Sequence, residues 1–347
     1  MATTLKDIAD RAGVSKVTVH KVIYNKPGVS DKTRRRVLDI VKLTGYAINP
    51  VASSLKREPL TIAVVSVWLA PDLNYFHRLV AKGIDDAEKE LLVYRVSLKR
   101  YFSDATWQSQ ARILEEIITE GAVDGVAIYC NDFTYLNSYF ERLNAMGIPV
   151  VTFHSDALDS CRIACVTAPN ERTGRLAAEF MSHLVAGSGY VLVLGGNKGL
   201  QVLRDNVAGF FSHMQAERPD LTLLEVNDFD TIDRLMSEVG HLMGALGNVR
   251  GLYCSSARNG IPLCKKVESM GLAGKVRVIT SDVFPELRQY MERGVVDATT
   301  WQDPKTQSHK AILLMYQYLT THTITETSIS VRIGIVLRNN FEDYCED

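Results

Sequence analysis

Between Ser15 and Ile23 the chain reads SKVTVHKVI. On a helix turning 100° per residue, only Val19, Val22 and Ile23 share a face. Lys16, Val17, His20 and Lys21 point away from it, and Thr18 flanks them near the N-terminal end. Side chains withheld from a core in this way are those a DNA duplex would meet. A lysine reaches O6 and N7 of guanine as a point charge. The next helix carries three consecutive arginines, Arg34, Arg35 and Arg36.

Neighbouring segments would position that row. Leu5, Ile8, Ala9 and Ala12 recur at i, i+3, i+4 and i+7, one apolar stripe of a first helix. Gly13 permits a tight turn and Ser15 suits the N-cap of the second helix. A third helix follows the NKPGVSD loop, with Ser30 as N-cap, Asp31 in its first turn, and Val37, Ile40, Val41 and Thr44 facing inward. Two helices joined by a short glycine-containing turn and braced by a third form a helix-turn-helix unit. Its second helix would lie in a major groove. Charge agrees: residues 1–60 hold 12 Lys+Arg against 5 Asp+Glu, or +7, whereas the whole 347-residue chain is −1. In NPVASSLKR, Asn49 is an N-cap and Pro50 fits the first helical position. A helix of about two turns needs a partner to order it. Leu55 beside Lys56 and Arg57 then reads as a wedge for a minor groove.

Residues 4–57 resemble the N-terminal domain of the LacI/GalR family of bacterial transcription regulators, carried by LKDIADRAGVSKVTVHKVIYNKPGVSDKTRRRVLDIVKLTGY. The resemblance implies base-reading roles for Lys16, Val17, His20 and Lys21. It implies phosphate contacts for Thr18 and Asn25, and an operator-centre wedge for Leu55. His20 replaces the usual Ser, Lys21 the usual Arg, and Asn49-Pro50 reverses the usual order.

From Leu60 the pattern changes to short apolar runs alternating with amphipathic stretches. LTIAVVSVWL, LVYRVSL, VAIYC and IPVVTFH read as strands; FHRLVAKGIDDAEKEL, WQSQARILEEIITE and LNSYFERLNAMG read as helices. After about residue 165 the series restarts with the strands YVLVLGG, LTLLEV, GLYCSS and VRVITSD. Helices are expected at 170–186, 203–217, 230–246, 259–271 and 285–293. The fold class expected is α/β, two parallel-sheet lobes behind an all-α head. The domains expected are 1–45 (head), 46–59 (hinge) and 60–347 (effector binding and dimerisation). Its N-lobe would take 60–165 and 303–325, and its C-lobe 166–300 and 326–347.

Ligands of parallel sheets bind at the carboxyl ends of strands, here between the lobes. His154, Asp156, Ser256 and Asn259 stand at such ends. This half resembles the periplasmic sugar-binding-protein fold of the same family, most clearly through SDVFPELRQYMERGVVDATTWQDPKTQSHKAILLMYQYL. That resemblance implies ligand-binding roles for Asp282, Gln302 and Arg204, and aromatic contacts from Trp68, Tyr75 and Phe76. The effector expected is a small sugar, with a purine or a phosphosugar as the alternative.

Other chemistries find no support. There is no G-K-[ST] phosphate loop, G-x-S-x-G or H-E-x-x-H, and the six cysteines form no C-x-x-C. No catalytic residue, metal or cofactor is assigned. A sugar receptor would not need residues 1–57. The start MATTLKDIAD has no signal-peptide pattern and no run is long enough to span a membrane, which points to the cytoplasm. The resulting expectation is a homodimer reading a pseudo-palindromic double-stranded operator. Lys21→Ala should relax base preference, whereas Lys56→Ala should weaken all DNA about equally. Binding to a set of operator variants checks this, and uniform loss for Lys21→Ala refutes the base-reading role.

Overall fold

The computed structural model describes residues 4–23, 27–44, 54, 57–70, 74–227 and 231–345. The head has three helices: α1 (Leu5–Ala12), α2 (Lys16–Ile23) and α3 (Asp31–Thr44). Thr4 and Asp7 form a reciprocal capping box on α1, and Gly13 ends it at φ 61°. The Ser15 and Ser30 hydroxyls accept from the Thr18 and Thr33 amides at 3.1 and 3.3 Å. Ile8, Ala9, Ala12, Val19, Val22 and Val37 close a small separate core.

The body begins with β1 (Leu60–Val67), α4 (Tyr75–Leu92), β2 (Val96–Ser103), α5 (Trp107–Glu120), β3 (Gly125–Tyr129), α6 (Phe133–Ala145), β4 (Val150–Phe153) and β5 (Ala164–Thr167). Next come α7 (Asn170–Leu184), β6 (Gly189–Gly196), α8 (Gln201–Glu217), β7 (Leu221–Asn227), α9 (Ile232–Leu246), β8 (Val249–Cys254) and α10 (Ala257–Ser269). The last part holds β9 (Arg277–Ser281), α11 (Pro285–Glu292), β10 (Ala298–Trp301), α12 (Pro304–Thr321), β11 (Ser328–Ser330) and β12 (Gly334–Val336).

Two six-stranded sheets result, ordered β11-β5-β4-β3-β1-β2 and β12-β10-β9-β8-β6-β7. All pairings are parallel except β10 with β12. Central strands such as Ile62–Val65 are fully buried, as continuous apolar runs must be in a sheet covered on both faces. The equivalent strand order makes the lobes pseudo-repeats.

Two expectations shift. The strand expected over 92–98 lies at Val96–Ser103, because α4 runs on through Leu92 and Arg95 turns the chain at φ 57°. The lobe boundary also moves. β5 reaches Thr167, and β11, expected in the C-lobe, pairs with it in the N-lobe sheet. The chain therefore crosses between lobes after β5, after β10 and after β11.

Small residues set how closely helices approach. A Cβ on Gly209 of α8 would overlap the Glu171 carbonyl at the start of α7, and one on Gly174 would overlap the Asn206 carbonyl. Gly209→Ala should destabilise by about 1–3 kcal/mol. Gly244→Ala, exposed on α9 with nothing near its Cβ, should stabilise by about 0.5–1 kcal/mol. Thermal melts of the two variants check the pair.

Candidate functional sites

On the head, Lys16 and His20 are exposed, and Val17 is 66% exposed despite being apolar. Lys21 is half-buried beside the Gly28 turn, and the Thr18 hydroxyl is shared with Ser15 at 2.9 Å. The outward row read from the sequence is thus on one side of α2. Asn25, Asn49, Leu55 and Lys56 lie outside the described residues. Arg57 requires a correction. Its guanidinium donates to the Tyr94 carbonyl at 3.2 Å and sits 5.5 Å from the Tyr316 ring centroid, while Arg95 donates to its carbonyl at 2.9 Å. Arg57 fastens the end of the linker to the body instead of facing DNA.

Between the lobes lies a cavity of about 310 Å³. Its floor is Asp282, after β9, and Gln302, after β10. Gln302 Nε2 donates to both Asp282 carboxylate oxygens at 3.0 and 3.2 Å. Gln302 Oε1 is buried without a hydrogen-bond partner. Burial pushes the Asp282 carboxyl up to about 7, the Gln302 donor opposing the rise. On the N-lobe side stand Phe76, His77, Tyr129 and His154. His154 lies 4.6 Å from Phe76 and 4.5 Å from Tyr129 between ring centroids. His154 and Asp282 occupy equivalent strand ends in the two lobes, at φ 68° and 67°. Burial holds both imidazoles neutral, His77 at about 4 and His154 at about 3, the latter also repelled by His77.

Other expected residues are elsewhere. Asp156 forms a bidentate pair with Arg162 six residues on, a local structural contact. Arg204 is exposed, donating to the Lys198 carbonyl and, at 2.6 Å, to Gln201 Oε1; its neighbours Leu200, Val202 and Leu203 line the cavity. Asn259 is fully buried but not in the cavity wall, whereas Ser256 is in it. Trp68 stands on Phe102 at the surface, 47% exposed. Tyr75 stacks on Phe284 of the other lobe at 4.5 Å, beside an Arg78–Glu286 ion pair of 2.6 Å. It clamps the lobes rather than lining the cavity. Sequence reasoning missed Tyr129, Asn131, Asn197, Ser255 and Arg258, although the strand-end rule that gave His154 and Ser256 applies to them. It also missed His77, one residue past Phe76.

The described residues contain no His, Cys, Asp and Glu cluster suited to a metal, and no helix long and apolar enough to cross a membrane.

Two lobes hinged by three crossings, with polar groups at facing strand ends, define a periplasmic-binding-protein domain; here it carries a helix-turn-helix head. Comparison agrees: residues 65–323 match the periplasmic binding protein domain, and residues 4–49 match bacterial regulatory proteins of the lacI family. The chain therefore belongs, through its body, to the periplasmic binding protein domain family, and its head carries the domain of bacterial regulatory proteins of the lacI family. It is 30% identical over 152 residues to catabolite control protein A of Priestia megaterium, covering 44% of this chain and 43% of that protein. It is 23% identical over 339 residues to the ribose operon repressor of Lactococcus lactis subsp. lactis, covering 97% of each. Among solved structures, a solute-binding protein of Burkholderia graminis in complex with D-arabinose has a TM-score of 0.75 at 23% identity, covering 84% of this chain and 99% of that one. GanP, a glucose-galactose binding protein of Geobacillus stearothermophilus, gives 0.73 at 24%, covering 82% and 99%. These structural likenesses establish the fold.

The buried groups make stability depend on pH. The folded Asp282 carboxyl keeps its proton up to about 7, whereas an unfolded one releases it near 3.8. Between those values the folded state holds the extra proton, so this group lowers stability as pH rises. The two imidazoles act oppositely. The unfolded chain binds their protons below ~6.5 and the folded chain only below about 4 and about 3, so stability rises from pH 4 to 6.5. Asp282→Asn should therefore gain stability relative to the parent as pH climbs from 4 to 7, then level off. Paired thermal melts across pH 4.5–8 check it; a pH-independent difference contradicts the burial of Asp282.

Proposed function

We propose that the protein is a cytoplasmic, homodimeric repressor of transcription, whose two heads bind a pseudo-palindromic operator and whose operator affinity is set by a small sugar-like effector held between the lobes. One observation carries the reading: a single chain joins the outward row on α2 to a lobe-bridging cavity floored by Asp282 and Gln302. One head offers few contacts, so two related by a twofold axis are required for selective binding. Lys16, Val17, His20 and Lys21 are assigned to bases, and Thr18 and Asn25 to phosphates. Asn49, Leu55 and Lys56 are assigned to a hinge helix on the minor groove.

In the cleft, Asp282 and Gln302 would accept from sugar hydroxyls, and Phe76 and His154 would offer ring faces to C–H groups. Ser256 is at hand on the opposite wall. The names of the relatives, ribose operon repressor and catabolite control protein, support repression and no catalytic step. The sugar-bound structural neighbours support the effector class. A neutral ligand fits better than a phosphosugar, because Arg204 faces solvent and Arg258 is the one Lys or Arg lining the cavity, across from the Asp282 carboxyl. To switch anything, the effector must bind the DNA-competent and DNA-incompetent states with different affinity.

Operator binding should fall steeply with salt as phosphate contacts release counterions: six to ten contacts lose roughly 10³–10⁵ in affinity between 50 and 200 mM. Fluorescence anisotropy with labelled operator at graded salt measures the slope, and a flat response contradicts DNA binding through the head.

A further inference from the structure

Polar groups line much of the cavity, but one stretch of its wall is apolar. On the C-lobe side Leu200, Val202, Leu203 and Ala257 line it, and on the N-lobe side Val67 and Leu69. Several polar side chains on its wall are already committed. Asn197 Oδ1 accepts from the Gly199 amide at 2.8 Å, the Ser255 hydroxyl donates to the Leu194 carbonyl at 3.1 Å, and Gln302 Nε2 is held by Asp282. At one edge stand the Asp282 carboxyl and the buried, unpartnered Gln302 Oε1; across the cavity His77 Nδ1 is also buried and unpartnered.

We infer that the effector is an amphipathic neutral sugar derivative, a deoxysugar or a glycoside with a small apolar aglycone, whose hydroxyl edge meets Asp282 and Gln302 and whose apolar part lies against Val202 and Leu203. The inference rests on the sugar reading above and narrows it. A hydroxyl pressed on the leucine wall would be desolvated without a partner, which disfavours the plain sugar. A methyl or ring in that place gains by leaving water. An anion would oppose ionisation of the Asp282 carboxyl, and Arg258 is the one Lys or Arg among the residues lining the cavity. At about 310 Å³ the cavity is at the small end of ligand sites, room for a monosaccharide with a compact substituent and not for a long oligosaccharide.

Matched pairs of probes test this on the full chain by thermal shift and calorimetric titration: D-fucose against D-galactose, L-rhamnose against L-mannose, and phenyl β-D-glucopyranoside against D-glucose, with galactose 6-phosphate as the anionic probe. In a pair that binds, the member with the methyl or phenyl group should bind at least 10-fold tighter, the usual effect of one apolar group in an apolar pocket. Leu203→Asn should collapse that ratio toward one, with its ligand-free melt reporting whether the variant folds. Equal binding within pairs, tighter binding of the hydroxylated member, or a preference for the phosphosugar overturns the inference and leaves a cleft-binding regulator. An unchanged ratio in a folded Leu203→Asn overturns the role of the leucine wall. Binding of no probe, with operator retention intact, removes the sugar reading and this inference together and leaves the DNA-binding reading standing.

Discussion

The hydrogen bond from Gln302 to the buried carboxylate of Asp282 is the contact on which the arrangement of the body depends. Asp282 is 2% exposed at the end of a strand, where every parallel sheet presents its ligand-binding groups. Burying a carboxyl there costs free energy, and its proton is retained to about 7 in response. Gln302 partly offsets that cost. It does so from the residue at which the chain leaves the C-lobe sheet for the N-lobe, so the polar floor of the cavity is also a hinge strand. A ligand that replaces or adds to this hydrogen bond acts on the crossing itself.

The next element carries the consequence outward. α12 starts two residues after Gln302, capped by Asp303, and Gln307 on its first turns donates to the Gln302 carbonyl at 2.7 Å. The helix packs along α4, where Ser308 donates to the Val80 carbonyl and Gly83 admits the Lys305 backbone at close range. Near its other end Tyr316 stacks on Tyr94 and receives the Arg57 guanidinium. One helix thus touches the cavity floor at its first turn and the end of the linker from the head about three turns later. Rigid elements of this kind are how a small change in a cleft reaches a distant site.

Much of this was legible in the sequence because local rules and tertiary demands agree. α5 falls on Trp107–Glu120 as its pattern requires, with Thr106 as cap and Gly121 at φ 59° ending it. The head was legible for the same reason. The cavity lining was legible in part: His154 and Ser256 sit at strand ends that face the cleft, and the family resemblance pointed to Asp282, Gln302 and Phe76, which line it too. Arg204 was misplaced because helix rotation decides which of Leu203 and Arg204 faces inward, and α8 is apolar around much of its circumference. Asp156 was misplaced because its partner, Arg162, lies in a loop whose path no periodicity encodes. Arg57 looked like part of a basic tail, and its docking on Tyr316 is a contact 259 residues away in sequence.

The central claim is that the cleft and the head are two sites of one regulator. Linkage makes this directly measurable, because a ligand that changes operator affinity must itself be bound with affinity changed by the same factor when operator is present. The measurement is calorimetric titration of the cleft ligand into the free protein and into the protein saturated with operator DNA. The two dissociation constants should differ by at least fivefold, matched by the same factor in operator affinity with and without ligand. Equal constants in the two titrations, with the ligand seated on Asp282, would contradict it.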